Sequence, residues 1–159
     1  MSDVSAPAVI APEALLSHWQ GHRRVTRRVI EAFPADEFTT LSIGGMRPFS
    51  AMAQEMLSMA VPTLRGILTG EWAPFQQPEP TTQAKVLAEW DAATAELDTL
   101  FGQIPLTRFQ EQIVAFGQWP MSVHDLILGV IDNEIHHRGQ GYVYLRALGV
   151  TPPEFWVRD

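Results

Sequence analysis

The chain has 159 residues, 46% of them apolar, and a net charge of −7, which favours one domain over 1–159 around a single core and excludes disorder. No basic cluster exceeds the pairs Arg23-Arg24 and Arg27-Arg28, no apolar run approaches the ~20 residues of a membrane span, and Met1 to Ala11 lacks the pattern of a signal peptide, so nucleic-acid and membrane partners are disfavoured and a soluble cytoplasmic protein is expected. The absence of cysteine excludes disulfides, a thiolate nucleophile and Cys-ligated zinc, and leaves His, Asp, Glu, Asn, Gln and water as metal donors.

Four segments carry helical period. The first starts near Pro12 or Glu13 and runs to about Phe33, with Leu15, Leu16, Trp19, Val25, Val29, Ile30 and Phe33 as its apolar positions; Pro34-Ala35-Asp36 ends it. A glycine-marked loop through Ser42–Arg47 follows. The second segment runs from about Pro48 to Leu68 with a stripe of Phe49, Met52, Met56, Met59, Thr63 and Ile67, and stops at Gly70; Pro62 predicts a kink or an early end. Glu71 to Pro80 is a proline-rich loop. The third segment, Thr81 to about Phe101, is capped by Thr81 or Thr82 and closed by Gly102 and Pro105. Leu106 to Pro120 reads equally as a loop, a short helix or a strand pair. A connection of about 15 residues is long enough to suspect a function. The fourth segment, Ser122 to Leu148, has Ser122 as cap with Asp125 three residues on, and Gly149 and Pro152-Pro153 as stop. The aromatics Phe155 and Trp156 beyond it are expected to pack back onto the bundle. The sum is an all-α four-helix bundle.

Within the fourth segment, Asp132-Asn133-Glu134-Ile135-His136-His137-Arg138-Gly139-Gln140 puts charges, imidazoles and carboxamides into a run that otherwise reads as buried helix. Such groups are costly on an apolar stripe unless paired or bound to a metal. At 100° per residue, His137 falls on the stripe of Val123, Leu126, Val130, Tyr144 and Leu145, with Asn133 one turn before it, about 40° around the axis. That i, i+4 spacing lets one helix face give two ligands to one ion. Gln140 continues the face, and His136 lies to the other side. Glu134 sits at the opposite edge, placed to turn inward or to pair with Arg138. The plainer alternative is a hydrogen-bonded core histidine with a solvated shoulder. Glu55 lies on the methionine stripe of the second segment, between Met52 and Met59; with His137 on a facing helix it makes a carboxylate–imidazole metal site, and otherwise it is a stripe-edge glutamate. His18 and His22 form another i, i+4 pair, as half-exposed surface histidines or with His22 completing the site. His124 is structural or exposed. No Gly-x-Ser-x-Gly elbow, phosphate loop, dinucleotide turn or His-Glu-x-x-His motif is present.

His136-His137-Arg138-Gly139-Gln140, continuing through Tyr142-Val143-Tyr144-Leu145-Arg146-Ala147-Leu148-Gly149 to Pro152-Pro153, with Arg47-Pro48-Phe49 opening the second helix, resembles the DinB/YfiT-like superfamily of damage-inducible bacterial proteins. The resemblance implies an up-down-down-up four-helix bundle, a homodimer, and a nickel or zinc ion on three histidines. Carried over by position, those ligands fall on Glu55, Asn133 and His137, so one histidine of the usual set remains. It also implies a low-molecular-weight thiol as cofactor, whose thiolate the metal would activate.

Two readings follow. One is a divalent-metal-dependent transferase or hydrolase of stress or detoxification, acting on a small-molecule substrate. Glu55, His137 and Asn133 are then at the metal, with Glu134 or His136 as orienting group or general base. The other is a non-catalytic binding or dimerisation bundle with a degenerate metal site.

Overall fold

The computed structural model describes residues 9–74 and 76–159. Most of the N-terminal stretch read above for a signal, residues 1–8, lies outside them, as does Phe75 in the crossover loop.

Helix α1 (Pro12–Ala32) opens on proline, whose missing N–H costs nothing in a first turn, and ends at Phe33-Pro34. A short helix, α2 (Ala35–Thr40), starts within the Pro34-Ala35-Asp36 stretch that was expected only to end the first helix. Pro34 sits at its N-cap, Asp36 and Glu37 face its N-terminal dipole, and Phe38 is driven into the core. Helix α3 (Phe49–Thr69) passes through Pro62 without ending. It stops at Gly70, whose φ of 77° is left-handed and whose N–H bonds the Gly66 carbonyl. Helix α4 (Gln83–Phe101) is capped by the Thr82 hydroxyl.

The ambiguous stretch resolves into a 3-10 turn over Leu106–Gln110 and an antiparallel hairpin, β1 (Gln112–Ala115) and β2 (Trp119–Ser122), with Ala115 opposite Trp119. The hairpin runs directly into α5 (Val123–Ala147), where the Ser122 hydroxyl accepts from Asp125 N–H at 3.0 Å. Helix α5 closes with Val150 N–H on the Leu145 carbonyl and Gly149 N–H on that of Arg146, Gly149 having φ 74°.

Helix α3 packs against α4 and α5, and so does α1, so α1 and α3 stand diagonally across the bundle. The start of α3 is clamped to the start of α4 by the Ser50 hydroxyl, which bonds both Thr81 O and Thr81 N at 2.6 Å, so these helices are parallel. One apolar cluster joins Leu15 and Trp19 to Leu64, Ile67, Leu97, Val123 and Ile127; the other joins Val29 and Ile30 to Phe49, Met52, Val86, Trp90 and Tyr144. The first gathers the starts of α1 and α5 with the ends of α3 and α4, and the second gathers the opposite ends. That is the up-down-down-up bundle expected from the sequence. Polar side chains fill the waist between the clusters.

The C-terminal aromatics depart from expectation. Phe155 and Trp156 are 55% and 63% exposed. The tail is held by its backbone instead: Arg24 donates to the Arg158 carbonyl at 2.7 Å, Arg28 to the Val157 and Asp159 carbonyls, and Tyr142 to the Pro153 carbonyl at 2.6 Å. Among the described residues no helix is long and apolar enough to cross a membrane.

Candidate metal centre

Helix α5 lies between α1 and α3, so polar residues on both its shoulders are interior. The α3 shoulder carries the candidate site. Glu55 from α3 meets Asn133 and His137 from α5: Asn133 Nδ2 donates to Glu55 Oε1 at 3.1 Å, and His137 Nε2 lies 3.0 Å from the same oxygen. The Arg47 guanidinium holds the other oxygen, Oε2, at 2.5 Å. Burial pushes the Glu55 carboxyl up, but the hydrogen bonds from Arg47, His137 and Asn133 together outweigh it and hold it below its ordinary value. Arg47 is in turn fixed by the Tyr144 hydroxyl, which donates to its carbonyl at 2.8 Å.

His137 is oriented from its far side. Its Nδ1 lies 2.8 Å from Gln140 Oε1, and the Gln140 amide donates to the Met46 sulfur at 3.3 Å. With a carboxamide oxygen at Nδ1, the ring's proton sits there, and the Nε2 lone pair is turned to the Glu55 carboxylate. In that arrangement a metal ion fits between the two lone pairs, 3.0 Å apart, whereas with the carboxamide reversed the ring instead donates Nε2–H to Glu55. Asn133 Oδ1 is buried without a partner among the described residues, a further oxygen at the same place.

The donor set suits a divalent ion with few protein ligands. Glu55 gives a carboxylate oxygen and His137 an imidazole nitrogen, and Asn133 adds a neutral carbonyl after rotation of its amide. Among the described residues no group of three His, Asp or Glu side chains gathers at one point, so the remaining positions would fall to solvent or substrate. The triad Glu55, Asn133, His137 expected from the sequence is thus brought together. Arg47 was not anticipated as its partner. The only signal was a lone arginine opening the second helix, eight residues before Glu55.

The other expected residues go elsewhere. His136 is exposed at the edge of the site, its ring centroid 5.0 Å from that of His137. Glu134 is buried on the α1 shoulder, accepting from the Thr26 hydroxyl at 2.7 Å and facing Arg23 Nη1 at 3.9 Å. Burial pushes its carboxyl above the ordinary range despite Arg23, Thr26 and Arg138. Arg23 is itself fully buried, its guanidinium 4.1 Å from the Trp90 ring centroid and bonded to Thr94 and the Trp90 carbonyl. His22 joins this second cluster: Arg138 donates to its Nδ1 at 3.1 Å, and its Nε2 meets His18 Nε2 at 3.1 Å. His18 and His22 therefore do not complete the Glu55–His137 site. His124 lies beside Asp125, away from it.

A sequence model of the DinB family matches residues 1–159. The uncharacterized protein YjoA of Bacillus subtilis (strain 168) is 26% identical over 145 residues, covering 89% of this chain and 94% of YjoA. The crystal structure of that DinB-like protein superposes with a TM-score of 0.74 at 21% identity, over 91% of this chain and 99% of the other. A DinB-like protein from Bacillus cereus ATCC 10987 gives 0.73 at 19% identity, over 89% and 95%. A variant of a mycothiol-dependent maleylpyruvate isomerase gives 0.63 at 13% identity, over 82% of this chain and 60% of that one.

Proposed function

The chain belongs to the DinB family, and on that premise we propose that it is a divalent-metal-dependent enzyme acting on a small molecule. Glu55 Oε1 and His137 Nε2 are the principal ligands and the Asn133 carbonyl a weak third. The observation that carries this reading is the 3.0 Å approach of His137 Nε2 to Glu55 Oε1 while Nδ1 is engaged by Gln140. Bound there, the ion would act as a Lewis acid that lowers the pKa of a thiol or water. A thiol is the preferred co-substrate, supplied from outside a chain with no cysteine. The likeness to a mycothiol-dependent isomerase supports that preference at the level of fold.

The residues of the chain divide the remaining tasks. Gln140 fixes the His137 tautomer. Arg47 neutralises one oxygen of Glu55 and aims the other. His136, exposed beside His137, is the proton acceptor of the site. Glu134, sealed behind Thr26 and Arg23, holds the helices together.

The test is metal analysis of untagged protein, loaded with zinc and desalted, alongside Glu55→Ala, His137→Ala and Asn133→His. The parent chain is expected to retain about one ion, the two alanine variants to lose it, and Asn133→His to bind about tenfold tighter or more by gaining an imidazole donor. Retention of the ion by both alanine variants, or no retention by the parent with melting unchanged by chelator, overturns the assignment. In the second case the Gln140 carboxamide is reversed, and His137 donates its Nε2–H to Glu55.

A further inference from the structure

A cavity of about 760 Å³ lies between α3, the α3–α4 crossover and the tip of the β1–β2 hairpin. Its volume falls in the range of about 300–1,000 Å³ usual for small-molecule sites. Ser58, Met59 and Pro62 line it along α3. Ser58 and Met59 follow Glu55 by three and four residues, so the cavity begins about one helical turn along the same face. Among the described residues that line it, none carries an ionisable side chain.

Among the described residues of the lining, three are aromatic: Trp72, Phe116 and Trp119. The Trp72 and Phe116 ring centroids are 4.9 Å apart, and those of Phe116 and Trp119 are 6.0 Å apart at 74°. Phe116 is the one non-glycine with positive φ among the described residues, at 53°, followed by Gly117 at 69°. Gln118 N–H donates to the Ala115 carbonyl at 3.0 Å across this turn. Tight hairpin turns of this kind take asparagine or glycine at that position, and a bulky side chain there is strained. The strain places an aromatic ring where the cavity needs one, and such strain gathers at ligand clamps. Pro62 adds a polar feature. It has no N–H, so the Ser58 carbonyl lacks its helical partner, and both residues line the cavity.

We propose that this cavity binds a neutral planar aromatic group, held among Trp72, Phe116 and Trp119, with a hydroxyl or amine donated to the freed Ser58 carbonyl. The aromatic binding stands by itself. Only the corollary that the ligand's reacting end points to Glu55 and His137 rests on the metal-dependent reading above.

The experiment is calorimetric titration of the full chain with 2-naphthol, and with decahydro-2-naphthol as its saturated analogue. Each titration is run with chelator and again with zinc. Saturable binding of 2-naphthol is expected in both, with clear preference over the saturated analogue. Phe116→Gly removes the ring while relieving the backbone, and its melting is read beside its binding; it and Trp119→Ala are each expected to weaken binding about tenfold, the upper range for one aromatic contact. Absence of saturable binding, loss of binding in chelator, equal affinity for the saturated analogue, or unchanged affinity in Phe116→Gly overturns the aromatic site. Intact 2-naphthol binding by a chain that never retains zinc overturns the metal reading alone.

Discussion

Replacing Gly141 by alanine should destabilise this protein, whereas the same change at Gly139, on the same helix, should stabilise it. Glycine inside a helix costs about 1 kcal/mol relative to alanine, so both changes start with that gain. A Cβ at Gly139 meets nothing within 4 Å, and the gain stands. A Cβ at Gly141 would lie 2.5 Å from Phe49 Cε2 and 2.7 Å from Cζ. Carbon atoms settle about 3.5–4.0 Å apart, so the ring or the helix must move by about 1 Å. The ring has nowhere to go: Phe49 is fully buried, stacked on Phe33 at 4.7 Å and edge-on to Phe38 at 6.0 Å. Overpacking of a locked site costs about 3 kcal/mol, which leaves Gly141→Ala about 2 kcal/mol less stable than the parent. For a chain of this length that is a fall in Tm of about 4–8 °C, against a rise of about 2–4 °C for Gly139→Ala. Calorimetric melts and urea titrations read both. In a Phe49→Leu background the penalty at Gly141 should shrink. If Gly141→Ala melts at or above the parent, or its penalty survives in that background, the close approach of α3 and α5 is not what fixes this residue.

Two further outcomes concern the buried cluster against α1. Burial, then the charges of Arg138 and Arg158 and the neighbouring His18, lower the His22 pKa from 6.5 to about 3. Below pH 6.5 the unfolded chain therefore takes up a proton that the folded chain refuses, and stability falls by up to about 1.4 kcal/mol per pH unit as pH drops. Burial of Glu134 acts in the opposite sense, since a raised carboxyl stabilises most at low pH, so the comparison to make is with His22→Gln. That variant should lose up to about 2 kcal/mol less than the parent between about pH 6.5 and about pH 5, and parallel losses would refute the assignment. Glu134→Ala, which strands the fully buried Arg23, should cost about 3 kcal/mol or more by urea denaturation, and the isosteric Glu134→Gln less than half of that. Equal losses would show that the charge opposite Arg23 is not what matters.

The long helices were legible because each repeats its apolar stripe over several turns, and the pairing of Glu55 with His137 was legible because both interrupt such stripes. Other features had no comparable signal. Helix α2 has only six residues, too few to display a period. The strands of the hairpin have four residues each, one of them containing Pro120. Pro62 predicted an interruption because sequence shows the lost N–H and not the packing that holds α3 continuous around it. Glu134 could not be placed from α5 alone. That helix has interior neighbours on two sides, and only the partners, Thr26 and Arg23 from α1 against Glu55 from α3, tell one shoulder from the other. Arg47 reaches Glu55 from a loop, where no periodicity applies. Phe155 and Trp156 were expected to be buried from their size, yet the α1 arginines bind the tail's carbonyls and leave its side chains outside.

The packing of α5 against α1 has a consequence for how the chain acquires its structure. Each apolar cluster needs one end of α1 and one end of α5, whose closest approaches span more than 100 positions of sequence. Closing contacts so distant in the chain costs loop entropy before any burial repays it. On the ribosome, α1, α3 and α4 emerge with Trp19, Leu64, Trp90 and Leu97 still lacking their α5 neighbours. Folding should therefore be committed only once α5 has emerged, and until then the nascent chain would present apolar surface that a chaperone could hold or a neighbouring chain could capture.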